Sequence, residues 1–255
     1  MRRGILRRPA ESSGSVPGGD QGRFPGFDVV GEVEHWDAAT AGVVLARLTP
    51  QPPIRFFNLA EEATGRALFD QLLDQRGEPR VPVLEMVDAR LAEEATDGFR
   101  YADMPEDGEA FRRSLAALDS DADQAFGERF ALLEWHDQTD LLQAVHDIKD
   151  DWHGLPAGEV WDLWTRYACT AFYSHPWAWN EIGYGGPAYP RGYKNIGIDA
   201  REPWEVADRS DLDPVGRGEE IEHARRRHAE ARTRQLRSSD PSGPEGVGDE
   251  LSERT

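Results

Sequence analysis

The chain of 255 residues holds a single cysteine, Cys169, and only two lysines, Lys149 and Lys194, against 27 arginines. One thiol excludes an internal disulfide and any thiolate cluster, and no Cys-x-x-Cys-His is present for covalent haem. No apolar run approaches a membrane span, because Asp162 and Arg166 interrupt the most hydrophobic stretch. Arg2–Arg3 and Arg7–Arg8 have the look of a twin-arginine leader, but Pro9 and a polar stretch follow where an apolar region belongs, so a basic disordered start is expected. Strand alternation is equally scarce; Gly42–Leu48 (GVVLARL) is the one short candidate. No Gly-x-Gly-x-x-Gly follows a strand, and neither a Gly-x-Ser-x-Gly elbow nor a P-loop occurs, so no flavin or nicotinamide fingerprint is present.

The net charge is −19 and is unevenly spread. Residues 1–25 carry five Arg against Glu11 and Asp20, whereas 209–255 carry nine Arg against eleven acids, which leaves about −20 on 26–208. Such a surface disfavours nucleic acid and anionic membranes as partners. A solvated acidic face explains it, as does salt adaptation. The two ends are rich in Gly, Ser, Pro and charge and lack the apolar content to fold alone. The expected organisation is a disordered basic segment 1–25, one helical domain 26–208 and a charged, largely disordered tail 209–255. Truncation to 26–208 is expected to spare folding.

Helical periodicity dominates that domain. A helix is expected over Leu59–Gln75, with Asn58 as N-cap and Glu61 completing a capping box. Others are expected over Val83–Glu94 behind Pro82, Pro105–Asp123, Thr139–Ile148 and, after Pro156, up to Ser174, where Pro176 stops the chain. The fold class is mainly α, an irregular bundle of four to six helices.

Six of the eight tryptophans and five of the six tyrosines lie between Trp152 and Trp204. Beyond Pro176 this stretch is broken by Gly183, Gly185, Gly186, Pro187, Pro190 and Gly192, so it reads as irregular. Such a segment either closes the domain's own core or offers a surface to a partner. Both hold if Trp161, Trp164 and Phe172 face inward while Trp177, Trp179, Tyr184, Tyr189 and Tyr193 face out. Gly183-Tyr184-Gly185-Gly186-Pro187 reads as a sharply folded contact loop, and as a poor anion cradle because no Lys-Ser/Thr or helix follows. His146 and Asp150 sit one helical turn apart without a third metal ligand. His175 has no adjacent nucleophile, and Cys169 on an apolar helix reads as a buried, inert thiol.

The run Ala171-Phe172-Tyr173-Ser174-His175-Pro176, followed by Trp179-Asn180-Glu181-Ile182-Gly183-Tyr184-Gly185-Gly186-Pro187, resembles the C-terminal signature of the gluconate 2-dehydrogenase subunit 3 family. Phe57-Asn58-Leu59-Ala60-Glu61-Glu62, Val81-Pro82 and the Phe126–Leu142 stretch agree with the family's upstream pattern, so the resemblance covers roughly 55–206. Two departures stand out: Ala178-Trp179 replaces the Gly-Gly that often precedes the family's asparagine, and no usable export signal is present. The resemblance implies a small, non-catalytic subunit that stabilises a large flavin-dependent, glucose–methanol–choline-type dehydrogenase of a sugar, sugar acid or polyol. FAD would then sit on that partner and no cofactor on this chain, with a multihaem cytochrome as a further subunit in some complexes. The partner interface implied is His175, Trp177, Trp179, Asn180, Tyr184, Gly185, Gly186, Pro187, Tyr189, Tyr193 and Lys194. Placement is expected in the cytoplasm, or in the periplasm or envelope by co-export with the partner. Two other functions remain open: an independent enzyme using His175 with Asn180, Glu181 or Lys194, and a helical adaptor without a redox partner.

Overall fold

A computed structural model describes residues 24, 27–78, 80–96, 98–190, 192, 202, 205 and 206. The readings made for the two ends therefore lie almost wholly outside the described residues, as do Tyr193 and Lys194. Within them the protein is mainly α: a 3-10 helix Val29–His35, then α1 (Ala38–Ala46), α2 (Leu59–Leu72), α3 (Val83–Ala92), α4 (Asp107–Phe126), a 3-10 turn Phe130–Leu132, α5 (Trp135–Asp147), α6 (Ala157–Ser174) and α7 (Pro176–Ile182). Two-residue strands β1 (Asp151–Trp152) and β2 (Leu155–Pro156) pair antiparallel just before α6. No described helix is long and apolar enough to cross a membrane.

α6 is the central element, packed against α2, α3, α4, α5 and α7. Val160, Leu163, Trp164, Tyr167, Ala168, Ala171 and Phe172 give it a continuous buried stripe. Trp164 is fully buried and donates its indole N–H to Ser114 Oγ at 3.0 Å, so its polar edge is satisfied inside the core. Tyr167 packs edge-on against Phe111, 5.2 Å between centroids, and its hydroxyl donates to Asp107 at 2.6 Å. Burial, reinforced by the Asp107 carboxylate, pushes the Tyr167 phenol well above its ordinary range. Cys169 falls on the other side of α6 and is exposed, contrary to the buried thiol expected from its apolar neighbours. The helix is amphipathic, and Cys169 lies off the stripe.

The start of α2 is held from a distance. Asn58 caps it as expected, its side chain accepting from the Ala60 and Glu61 N–H groups while Glu61 returns to the Asn58 N–H. The three residues before that cap donate backbone N–H groups at 2.8–2.9 Å to one carboxylate, Asp88 of α3: Arg55 to Oδ2, Phe56 and Phe57 to Oδ1. Asp88 is 1% exposed. A buried acid is tolerated there because three charge-assisted donors replace its water.

Several boundaries depart from the periodicity. Gly42–Leu48, the strand candidate, lies mostly in α1, whose N-cap Asp37 accepts from the Thr40 N–H at 2.8 Å. Short apolar runs carry no decisive period, and the cap decides. α2 stops at Leu72 because Asp74 takes a positive φ, which frees the Gln75 side chain to bond Val81. α3 likewise stops before Glu94, φ 53°. α4 continues to Phe126, where Gly127 ends it in the left-handed conformation. α5 begins at Trp135, earlier than the apolar residues suggest, because Gln138 is buried and donates to the Phe130 carbonyl.

Asp88→Ala is expected to cost about 3 kcal/mol or more, because three buried N–H groups lose their acceptor at once. Urea unfolding at neutral pH measures it. Asp88→Asn, which keeps an acceptor oxygen, is expected to cost distinctly less.

Candidate functional site

The segment beyond α6 is more ordered than its glycines and prolines suggest. Pro176 does stop α6, but it also starts α7 as the first helical residue, a position where its missing N–H costs nothing. His175 joins the two helices in extended conformation, and its Nδ1 accepts from the Trp177 N–H at 3.3 Å. Gly183, φ 67°, closes α7 after two turns. The expected irregular loop is thus a short helix followed by a turn, a correction that rests on one cap at each end.

The face of α7 that meets the protein is polar as well as apolar. Asn180 is fully buried; its Oδ1 accepts from the Val29 N–H at 2.8 Å and its Nδ2 donates to Asp28 at 3.4 Å. Trp179 is 5% exposed and joins Val29, Trp36 and Val44 in a second apolar cluster, separate from the main core. Its indole N–H donates to the Tyr173 carbonyl at 2.7 Å, and the Arg47 guanidinium lies 5.7 Å from its ring centre. Arg47 also donates to the Ser174 carbonyl at 2.7 Å. The chain before α2 therefore wraps the end of the molecule as an arm, tied to α6 and α7 by Arg47, Val29 and Trp36. Sequence reasoning missed this arm. The available signals were Asp28 and Asp37, each one residue before a helical turn.

Glycine is required at two points of this contact. A Cβ on Gly183 would fall 2.6 Å from the Phe24 ring, and one on Gly186, φ 77°, would fall 2.2 Å from the Trp36 ring. The Gly183–Pro187 turn is a contact loop as expected, though its contact is with the chain's own arm.

The interface residues expected from sequence divide into two sets. His175, Trp179, Asn180, Gly185 and Gly186 are buried; Trp177 and Pro187 are half-buried; Tyr184 and Tyr189 are exposed, the latter at 65%. Trp179 was expected to face out, and the arm covers it instead. Trp161 is only partly buried against the main core, while Trp164 and Phe172 are inside as expected. Tyr184 rests edge-on against Trp179, 5.2 Å between centroids. Tyr173, Ile182 and Val43 on the neighbouring elements are also exposed.

The chemistry left at His175 is limited. The imidazole is 2% exposed. Burial lowers its pKa from 6.5 to about 4; a hydrogen bond to the Arg47 backbone opposes that shift, and the Arg47 charge adds to it. Asn180 has both ends of its amide in use; Glu181 is exposed as a residue, although burial of its carboxyl raises its pKa above the ordinary value. His175 and Asn180 are thus buried and bonded within the chain, and Lys194, the other member of that constellation, lies outside the described residues. His146 stacks edge-on against Trp161 and bonds Asp147 and Gln143, so it does not share a site with Asp150. Among the described residues no three His, Cys, Asp or Glu side chains come together as a metal site.

A sequence profile described as gluconate 2-dehydrogenase subunit 3 matches residues 59–186, from the first residue of α2 to Gly186 in the turn after α7. The chain belongs to the gluconate 2-dehydrogenase subunit 3 family. No curated protein and no solved structure matches it significantly. The family match ends on Gly186, whose close approach to Trp36 was described above, and it excludes the arm itself. A subunit is what the family description names, so the function is that of an accessory chain in a larger assembly.

Two outcomes are expected here. His175 binds no proton in the fold until about pH 4 but does so near 6.5 when unfolded. The unfolded chain thus holds more protons between those values, and stability falls as pH drops through that window, by about 3 kcal/mol in total. His175→Asn, which keeps an acceptor for the Trp177 N–H, should lose that component when denaturant midpoints are compared at pH 7 and pH 4.5. Trp179→Ala should lower the stability of the isolated chain by about 3–5 kcal/mol, as a buried aromatic does.

Proposed function

We propose that this chain is the non-catalytic small subunit that binds and stabilises a large FAD-dependent, glucose–methanol–choline-type dehydrogenase acting on a sugar, a gluconate-like sugar acid or a polyol. In this reading FAD and the reacting groups belong to the partner, and electrons leave through that partner or through a cytochrome subunit. Family membership supports the accessory role. The observation that carries the interface is the set of exposed apolar residues in and around α7, Tyr173, Ile182, Tyr184 and Tyr189, of which Tyr184 rests on the buried Trp179.

Tyr173, Tyr184 and Tyr189 are 50%, 38% and 65% exposed, so each has roughly half of the 150–250 Å² of an aromatic side chain left to bury. The three together supply the centre of an interface whose standard size is roughly 800 Å² per partner, and neighbouring residues supply the rest. Half-buried Trp177, in edge contact with His175 at 4.9 Å, adds a fourth anchor at the rim. The acidity of the chain fits a protein partner better than nucleic acid or an anionic lipid surface. Compartment follows the partner in this reading, either cytoplasmic or reached by co-export.

The test is affinity purification of the tagged full chain from its source cells. A large protein with flavin absorbance should co-purify at fixed stoichiometry. Tyr184→Ala combined with Tyr189→Ala should weaken that association by about 2 kcal/mol or more, as hot-spot residues do. The melting of the free chain should stay nearly unchanged. Co-purification of no flavoprotein, or an association indifferent to both tyrosines, would overturn the reading and the interface respectively.

A further inference from the structure

The contact between the arm and α7 has the make-up of a groove holding a peptide. The 3-10 helix of the arm packs on α7. Val29, Trp36 and Val44 close around Trp179 in an apolar cluster separate from the main core. Asn180 takes the Val29 N–H at 2.8 Å and gives its amide to Asp28 at 3.4 Å. Arg47 donates to the Ser174 carbonyl at 2.7 Å. The rings of Phe24 and Trp36 lie where Cβ atoms on Gly183 and Gly186 would stand. Main-chain bonds fix a docked segment and recesses for its side chains select it, and both are present here.

The link that joins this segment to the body is of another character. Thr49, Pro50, Pro52 and Pro53 are exposed, and prolines supply no N–H group to tie the link down. Beyond it, Arg55, Phe56 and Phe57 are anchored by Asp88 of α3, so the body holds its own side of the link without the arm. The family match begins at residue 59, so it contains the docking face and neither the arm nor the link. The closed arm is also imperfectly satisfied. The Trp36 indole N–H is buried and has no hydrogen-bond partner among the described residues, a penalty that water removes once the arm lifts. A proline-rich link is stiff, and stiffness limits how far tethering favours a segment over the same segment from another molecule.

We propose that the α7 face receives the arm of a second copy of this chain, so that two chains exchange arms in a reciprocal dimer. Exchange keeps every bond between arm and body named above, because each joins an arm residue to α6, α7 or the turn after it and none involves the link. Two-fold symmetry then fills both faces at once. Trp179 stays covered and Tyr184 still rests on it, so the dimer requires no flavoprotein, and its failure and that of the accessory role are separable.

Complementation between two full-length variants, each damaged on one side of the contact, tests this. Trp36→Ala removes a ring from the arm and leaves the face intact, whereas Gly186→Ala obstructs the face and leaves the arm intact. Mixed in equal amounts and followed by sedimentation equilibrium, the two should form a one-to-one heterodimer at least tenfold more tightly than either associates with itself. Adding Tyr184→Ala and Tyr189→Ala to both should leave that affinity unchanged, which separates exchange from association through the exposed tyrosines. Should Gly186→Ala lose its helical circular dichroism, Gly183→Ala, which meets the Phe24 ring, takes its place. A fluorescent peptide of residues 24–48 probes the face directly. It should bind the Trp36→Ala chain at least tenfold more tightly than the unaltered chain, whose own arm competes. A mixture of folded variants that associates no better than each alone, a heterodimer lost with the two tyrosines, or equal peptide affinity for both chains overturns the proposal.

Discussion

A single buried carboxylate organises the half of the molecule that the family pattern covers. Asp88 takes three consecutive backbone N–H groups, from Arg55, Phe56 and Phe57, and so fixes where the chain enters α2. From that entry follow the Asn58 cap, the direction of α2 and the placement of Phe57 against Phe111 at 6.1 Å. Phe111 in turn seats Tyr167 of α6. An apolar residue at position 88 would pack well and leave that approach undefined. Here a polar group in the core specifies geometry more than it adds stability.

The other end is organised by an amide. Asn180 offers an acceptor to Val29 and a donor to Asp28, so the arm is placed by hydrogen bonds and then sealed by Trp36, Val44 and Trp179. The close contact of the arm with the turn after α7 leaves no room for a side chain there, which explains glycine at 183 and 186 better than flexibility does. A cover over Trp179 also changes what a partner meets. In the proposed interface a partner would meet Tyr184 leaning on that indole, not the indole itself.

Much of this was legible in the residues. The capping box of α2, the buried stripe of α6 and its stop at Pro176 all follow from local rules, and they appear where those rules put them. The signature from Phe172 to Pro187 identified the family. What the residues did not disclose depends on pairs far apart in the chain. Asp88 reads as one more surface acid on an amphipathic helix until the N–H groups 31–33 residues earlier arrive. Val29 and Asn180 are separated by 151 positions, and nothing in either segment announces the other. The outward Trp179 was a reasonable expectation for an aromatic after a helix stop, and the arm overrode it. Cys169 failed differently: its neighbours were apolar, but a helix sorts them by angle, not by proximity.

The same distinction separates the two surfaces to which function is assigned. The rim at α7 was visible as composition, because aromatics concentrated in one stretch of chain. The docking face was invisible, since Trp179 and Asn180 find their contacts in a segment far off in the chain. Packing sorts the arginines in the same way, because each alone resembles any of the 27. In a chain with about 20 excess negative charges over its middle, most arginines are drawn to carboxylates. Arg112 shows how several contacts combine: it lies over the Phe56 ring, donates to the Phe56 carbonyl and stays within 3.9 Å of the Glu61 carboxylate. Which acid each arginine meets is therefore decided by the packing rather than by the composition.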